Sequence, residues 1–595
     1  MALRLVSVTR RFGSALALDA ISLHVRPGDC YGFLGHNGAG KTTSMRVALG
    51  LERPDAGRVI VDGFDAAEFP REARARMGGL IETPGFHGHL GGVANLVLLA
   101  RLQGFSGADA RREAARLVET VGLSAAGTKA VRNYSQGMRQ RLGIAQALLG
   151  SPKVVLLDEP MNGLDPEGIE EMRRLLARLT REEGMTVLLS SHQLAEIAGL
   201  CNRIGILRQG RMLVEEETSK LLAAEAGRYA LATADDAAAA RILAAAGIAA
   251  VPHAAGGLEL SVGARPAEDV AAELVAKGAR LRVWSPRPPT LEEIYLRFTQ
   301  GRESRNDQVT TGETGSPSER RAPSVPILRV MAYEFRRWTS TPTVPVLLAL
   351  PALLAVREVW RLHGVATQNA ADVAGGTVAS TSTITAFETF GCALKEAALP
   401  LVALTIAGLA SQSLAGELSR GTLRNVLLRP VRRLDAAAGK FAALIVAALV
   451  SYVVVAAAAL GASAHWFEFK DVAEILPNGQ PFPLPGGEAE KMWPAMAQTV
   501  LVMLPAVAAF AGVGLAAGAV VRNGAAGLAV AFGGCALIVA LGVVDASPIE
   551  SFVEATRVMS TAREPQTALH VLVPLACAML SFAVAALVLR RRSVK

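Results

Sequence analysis

Aliphatic residues are distributed differently in the two halves of the chain. In the first part they come as short continuous runs, such as Val154-Val155-Leu156-Leu157 and Thr186-Val187-Leu188-Leu189. Runs of this length, rich in β-branched residues and without polar alternation, predict strands buried on both faces of a parallel sheet. Helical patterns such as Gly168 to Thr180 lie between them, so residues 1–220 read as an α/β domain. Residues 221–300 are Ala-rich and alternate between helical and strand-like stretches, a small α+β extension ending in an amphipathic helix from Thr290 to Phe298. From Gly301 to Pro326 aliphatic residues almost vanish, and such a stretch cannot bury enough apolar surface to fold, so 301–326 reads as a flexible linker.

Beyond the linker the pattern changes scale. Ile327 to Trp338 is a basic amphipathic helix suited to a membrane interface. A membrane span needs about 20 mostly apolar residues, and residues 327–595 offer six such stretches: 340–358, 392–412, 441–463, 497–520, 524–544 and 568–589. The first is interrupted by Pro342, Pro345 and Pro351. The second half is therefore expected to be an all-α polytopic membrane domain of about six helices.

Composition supports this division. Of 595 residues 51% are hydrophobic and 19% charged, and the mean hydropathy is +0.33. The net charge of +8 is compatible with nucleic acid or an anionic membrane. Much of the basic excess flanks apolar runs, aromatics make up only 5%, and no stacking pattern with interleaved basic residues is found, so no nucleic-acid partner is expected. Basic clusters sit at Arg329, Arg336 and Arg337, at Arg420 to Lys440, and at Arg590 to Lys595. Six spans place all three on the cytoplasmic side, whereas five would not. Met1 to Phe12 lacks the apolar core of a secretory signal, so the first domain is expected in the cytoplasm. The five cysteines form no CxxC pair, which argues against a disulfide framework or a zinc site. His87 and His89 share a Gly-containing loop but lack a third ligand nearby, and no metal is assigned to them.

The chemistry is carried by two motifs. Gly35-His36-Asn37-Gly38-Ala39-Gly40-Lys41-Thr42 fits GxxxxGK[ST] and follows the strand-like Cys30 to Leu34. Its backbone N–H groups and the helix N-terminus that follows suit a phosphate chain; Lys41 would reach the β- and γ-phosphates and the Thr42 hydroxyl would ligate Mg²⁺. Val154 to Asp158 is an apolar strand ending in a carboxylate, with Glu159 next. Asp158 suits Mg²⁺ binding and Glu159 suits activation of the attacking water. Together they predict an α/β P-loop NTPase that uses ATP and Mg²⁺.

With these motifs in place, residues 1–220 resemble the nucleotide-binding domains of ABC transporters. The resemblance implies that Phe12 stacks on adenine, that Gly35, Asn37, Gly38, Ala39, Gly40, Lys41, Thr42 and Thr43 hold the phosphates, and that His192 in Ser190-Ser191-His192 contacts the γ-phosphate. Tyr134-Ser135-Gln136-Gly137-Met138 stands at the family signature LSGGQ, keeping Ser135 and Gly137. Asp165 in Gly163-Leu164-Asp165-Pro166 matches the D-loop. Because family members sandwich each nucleotide between two copies, one chain needs a second copy or a related half-transporter. Glu82 stands where most of the family has a Gln that ligates Mg²⁺ and aids catalysis. Its Ile-Glu-Thr-Pro setting resembles bacitracin and lantibiotic self-protection exporters; a lineage difference without bearing on cargo is an equal alternative.

Leu414 to Arg424 resembles the cytoplasmic segment of type 2 ABC exporter permeases, implying a short helix against the ATPase near Glu82 and the loop after it, with Glu417 and its neighbouring arginines transmitting closure. Lys395 and Glu396 lie in the first turn of the second expected span. The expectation is an ATP-driven exporter in the plasma membrane, with its ATPase cytoplasmic and a hydrophobic small-molecule or peptide cargo. Export of lipid or polysaccharide, and a membrane sensor or target-protection ATPase without net transport, remain alternatives.

Overall fold

The computed structural model describes residues 2–82, 84–197, 199–223, 228–252, 256–262, 265–287, 291–300, 326–341, 343–374, 381–382, 384–395, 399–471, 473–475, 481–483, 489–521, 524–540 and 567–591. The expected linker therefore lies outside the described residues except Pro326, as do Glu396, Arg592 and Lys595. The described residues form two compact units. One draws on Met1–Thr83, Thr120–Leu123 and Tyr134–Glu319, the other on Pro84–Glu119, Ser124–Asn133 and Arg320–Lys595.

The described residues of the first unit form fourteen strands: β1 Leu3–Phe12, β2 Ala15–Val25, β3 Cys30–Leu34, β4 Ala56–Val61, β5 Phe64–Asp65, β6 Met77–Leu80, β7 Val154–Asp158, β8 Thr186–Ser191, β9 Arg203–Arg208, β10 Arg211–Glu217, β11 Arg228–Thr233, β12 Ala250–Pro252, β13 Leu258–Ser261 and β14 Leu281–Pro286. The central sheet has the order β10-β9-β3-β8-β7-β6. The five strands from β9 to β6 run parallel and β10 is an antiparallel edge. Every residue of β7 and β8 is buried, which explains their unbroken aliphatic runs. Parallel register brings the C-terminal ends of β3, β7 and β8 to one edge, where open α/β sheets bind ligands. A second, antiparallel sheet has the order β2-β1-β4-β5. The sheet also brings Cys30 and Cys201, 171 positions apart, to 3.7 Å between sulfurs, both as free thiols.

The α+β extension has a definite topology. β11, helix Asp236–Ala245, β12, β13, helix Ala267–Ala276 and β14 follow in sequence, and the strands order as β12-β13-β11-β14 with antiparallel neighbours. This is the split βαβ arrangement of ferredoxin-like domains. Leu231, Leu243, Leu258, Leu260, Val270 and Leu274 form its core.

In the second unit, residues 84–119 and 124–133 group with residues from 326 onward although they lie within the first 220. Arg329 of helix Pro326–Thr339 donates to the Gln103 carbonyl at 3.0 Å, at the end of helix Gly92–Gln103. His87 Nε2 lies 3.0 Å from the Tyr333 hydroxyl. Gly85 packs against the turn at Gly421: a Cβ on Gly85 would lie 2.6 Å from the Gly421 carbonyl carbon and 2.7 Å from the Arg420 oxygen. The Asn425 side chain donates to the Gly85 carbonyl. Asn425 sits on the short helix Thr422–Leu427, which follows helix Leu399–Arg420.

Glu417 is buried beside Arg337, Glu334 and Lys440, and its charge also reaches His87 in the loop after Glu82. Arg337 pairs with Glu334 at 2.7 Å and with Glu417; Lys440 pairs with Glu417 at 2.8 Å and with Glu334. Lys440 also donates to the Ser413 carbonyl at 2.9 Å. Two carboxylates and two cations thus neutralise one another, which burial of charge demands. The direct packing contact with that loop is made by Gly421 and Asn425.

Among the described residues, four helices are long and apolar enough to cross a membrane: Leu401–Arg420, Arg433–Trp466, Ala489–Val520 and Val571–Leu589. The pair Ile327–Thr339 and Val344–Asp372, bent by 77°, makes up to five. Gly524–Ala540 coincides with the start of the fifth expected span, 524–544, but is shorter, and residues 541–544 lie outside those described. Among the described residues, the expected all-α character has one exception, a small antiparallel sheet of β15 Thr381–Ser382, β16 Ala473–Ile475 and β17 Pro481–Pro483.

Candidate nucleotide site

The loop after β3 is shaped before any phosphate arrives. Gly40 caps the helix Lys41–Ala48 at φ 108°, where a Cβ would also stand 2.9 Å from the Ala17 carbonyl oxygen. Gly35, Ala39 and Lys41 are buried; Asn37 and Gly38 are exposed, and Thr42 and Thr43 are half-buried at the start of the helix. The Lys41 ammonium curls back to donate to the Gly35 carbonyl at 2.5 Å and the His36 carbonyl at 3.3 Å. It lies 3.6 Å from Glu159 Oε1. Burial lowers the Lys41 pKa, and the charges of Glu159 and Asp158 oppose that shift. Glycines in left-handed conformations and a buried, incompletely solvated cation fit a polyphosphate, so the residues present suit ATP.

The acidic side of the site converges on the ends of β7 and β8. Burial raises the Asp158 pKa, while hydrogen bonds from Ser190 and Thr42 lower it and the charges of Glu159 and Glu82 raise it further. Ser190 Oγ donates to Asp158 Oδ1 at 2.6 Å. Glu159 adopts φ 47°, an uncommon left-handed conformation for a residue with a Cβ, which costs on the order of 1 kcal/mol and clusters at functional sites. Its Oε1 lies 3.3 Å from His192 Nδ1, and the Asn162 amide donates to its Oε2 at 3.3 Å. Strand β7 thus brings a metal-suited carboxylate and a base-suited carboxylate to the phosphate loop, and β8 adds the imidazole.

Glu82 follows β6 and is also left-handed, at φ 55°. Its carboxylate pairs with Arg46, which is four residues beyond Thr42 on the same helix. Its charge is felt at Asp158, so Glu82 stands within electrostatic reach of the candidate metal position. Two residues of this site escaped the reading of the chain, Ser190 as a partner of both carboxylate residues and Arg46 as the counter-ion of Glu82. The one usable signal was the i,i+4 spacing from Thr42 to Arg46, which aligns two side chains on a helix face.

The remaining expected residues have other immediate partners. Phe12 ends β1, is 41% exposed, and carries the Arg10 guanidinium 4.7 Å from its ring centroid. Ser135 caps the helix Gln136–Leu148, accepting from the Met138 amide at 3.2 Å. A Cβ on Gly137 would stand 3.7 Å from Leu164, in ordinary contact. Asp165 caps the helix Pro166–Ala177, accepting from the Gly168 amide at 3.1 Å, with Pro166 at its first position. The hydrogen bonds of Ser135 and Asp165 are thus spent on their own helices, not on the phosphate loop.

The first part of the chain is similar to known proteins. Residues 18–162 match the family described as ABC transporter. The bacitracin transport ATP-binding protein BcrA of Bacillus licheniformis is 42% identical over 213 residues, 36% of this chain and 69% of that protein. The daunorubicin resistance ATP-binding protein DrrA3 of Streptomyces coeruleorubidus is 41% identical over 218 residues, 37% of this chain and 69% of its own length. Among solved structures, a dimeric ATP-binding cassette in a post-hydrolysis state with ADP and phosphate shares 26% identity, covering 36% of this chain and 98% of its own, at a TM-score of 0.34. The P-loop fold, the paired carboxylates at the sheet edge and these relatives together place the chain in the ABC transporter family, as an ATP-hydrolysing transporter component.

Proposed function

We propose that the chain is a half-transporter whose ATPase drives export of a hydrophobic or amphipathic compound, working as a homodimer in the plasma membrane. The observation that carries this reading is the contact of the loop after Glu82 with the segment after a span-length helix: Asn425 donates to the Gly85 carbonyl, and Gly85 rests on Gly421. Both halves of that contact belong to one polypeptide. Movement of the loop would be passed to helix Leu399–Arg420 as to a lever. The names of the relatives, which mention bacitracin transport and daunorubicin resistance, favour a peptide antibiotic or drug as cargo.

In this reading Lys41 binds the β- and γ-phosphates, and Phe12 stacks on the base. Thr42, Asp158 and Glu82 would hold Mg²⁺, whose charge polarises the γ-phosphate oxygens. Glu159 takes the proton of the attacking water, with His192 holding its carboxylate and the γ-phosphate. Ser135, Gly137 and Asp165 complete the site of the second copy. The test is a substrate-stimulated ATPase assay on the full chain in lipid vesicles, with efflux followed in parallel. Stimulation and ATP-dependent movement of an amphipathic peptide or drug are expected. Hydrolysis that no such compound stimulates, with no movement across the bilayer, would overturn the exporter reading.

A further inference from the structure

Ser190 occupies a position that no motif assigns. In the parallel ladder of β7 and β8 it stands in register with Asp158. It is completely buried. Its hydroxyl has one proton, and that proton goes to Asp158 Oδ1 at 2.6 Å. Its oxygen accepts from the Glu159 backbone N–H at 2.9 Å, which also reaches the Ser190 carbonyl at 3.2 Å. One small group therefore ties together the side chain of one carboxylate residue and the backbone of the next.

Both ties act at the sheet end, where Asp158 also accepts from Thr42. Asp158 Oδ1 is committed to Ser190, which fixes the carboxylate plane. Glu159 leaves the strand in a left-handed conformation that its own Cβ disfavours, and the bond to Ser190 anchors its amide at that turn. The Glu159 carboxylate depends on this turn for its approach to Lys41 and His192. The neighbouring Ser191 does a different job, donating to Glu196 Oε2 at 2.7 Å. Alanine at 190 would remove the donor to a buried carboxylate and leave the Glu159 amide with its longer bond alone.

We propose that Ser190 is a positioning residue for ATP hydrolysis, setting the Asp158 carboxylate plane and the Glu159 turn as a unit. The proposal rests on the reading of Asp158 as a metal ligand and Glu159 as general base.

The experiment uses the full chain in lipid nanodiscs with Ser190→Ala, Ser190→Thr and Glu159→Gln. Steady-state kcat and KM for ATP are measured, together with Mn²⁺ affinity by electron paramagnetic resonance in the presence of a non-hydrolysable ATP analogue. Ser190→Ala should lower kcat about tenfold or more with KM within about twofold, and weaken Mn²⁺ binding severalfold. Ser190→Thr, which keeps the hydroxyl on a β-branched residue suited to a strand, should restore both. Wild-type kcat and Mn²⁺ affinity in a folded Ser190→Ala would overturn the proposal. So would a loss of kcat in which nucleotide binding falls in step while Mn²⁺ affinity is unchanged. If Ser190→Ala does not fold, the proposal stands or falls on Ser190→Thr retaining wild-type kcat and Mn²⁺ affinity. Glu159→Gln separates the two levels: continued hydrolysis there refutes the general-base reading itself, whereas an inactive Glu159→Gln beside an unimpaired Ser190→Ala refutes only the role of Ser190.

Discussion

Acidification should loosen the second unit through His87. This imidazole is 9% exposed, its Nε2 is 3.0 Å from the Tyr333 hydroxyl, and its backbone N–H donates to Asn95 Oδ1 at 2.8 Å. Burial lowers its pKa from 6.5 to about 4; the charge of Glu417 opposes the shift, and Arg337, His89 and Arg420 reinforce it. The folded state thus binds the proton less readily than the unfolded chain. The stabilisation from keeping His87 neutral is complete above pH 6.5, is lost as pH falls through the window from 6.5 to about 4, and loses nothing further below that. At pH 5 the unfolded chain is mostly protonated at this site and the folded chain mostly not, so the loss is about 2 kcal/mol, approaching about 3 at the lower limit. The assay is thermal unfolding in nanodiscs at pH 7.5 and pH 5, comparing the wild type with His87→Gln, whose amide can still bond Tyr333 but does not titrate. The wild type should lose more stability than the variant by about 2 kcal/mol. Equal losses in both proteins would refute the reasoning, since the buried imidazole would then contribute nothing to the pH dependence.

Three further outcomes are expected. Gly85→Ala would push a Cβ against the backbone of Arg420 and Gly421, so ATP hydrolysis should persist while efflux falls about tenfold or more, read by measuring both in the same vesicles. Arg46→Met should leave the melting temperature almost unchanged, because a pair whose Glu82 member is 46% exposed contributes less than about 1 kcal/mol, yet should shift the Mg²⁺ dependence of hydrolysis through the freed Glu82; an unchanged Mg²⁺ titration would count against Glu82 as a ligand. Lys440→Met leaves Glu334 and Glu417 sharing one cation in a buried site, and should cost about 3–5 kcal/mol, visible as a large fall in melting temperature that Lys440→Met with Glu417→Gln partly recovers.

The phosphate loop and the Asp158–Glu159 pair were legible because their spacing along the chain is itself the chemistry. Lys41, Thr42 and the capping glycine lie within one loop and helix, so geometry follows directly from residue order. The bridge through Ser190 was not legible, because it depends on which strand lies beside β7 and in which register. Nothing local to Ser190 distinguishes it from Ser191, whose hydroxyl faces Glu196 instead. The extension was readable as α+β from its alternating periods, but its strand order is a property of long-range pairing. Two- and three-residue strands such as Thr381–Ser382 and Ala473–Ile475 are too short to show a period at all. Glu417 stood out in the sequence as a charge within an apolar stretch, but its partners could not be named from it. Arg337 and Lys440 reach it from 80 positions before and 23 after, distances over which composition carries no pairing information.

That four-charge cluster also has a consequence for how the chain is made. Glu334 and Arg337 leave the ribosome together, Glu417 much later, and Lys440 last. A nascent chain that stops before helix Arg433–Trp466 holds two carboxylates against a single guanidinium, an excess negative charge that hydrocarbon does not tolerate. Lys440, in turn, is a poor passenger for a helix entering a bilayer alone. Only when the juxtamembrane helix is already in place does its ammonium find two acceptors waiting. Correct neutralisation therefore reports that three separate segments have met, and a truncated or mis-inserted chain carries its defect as an unmatched buried charge.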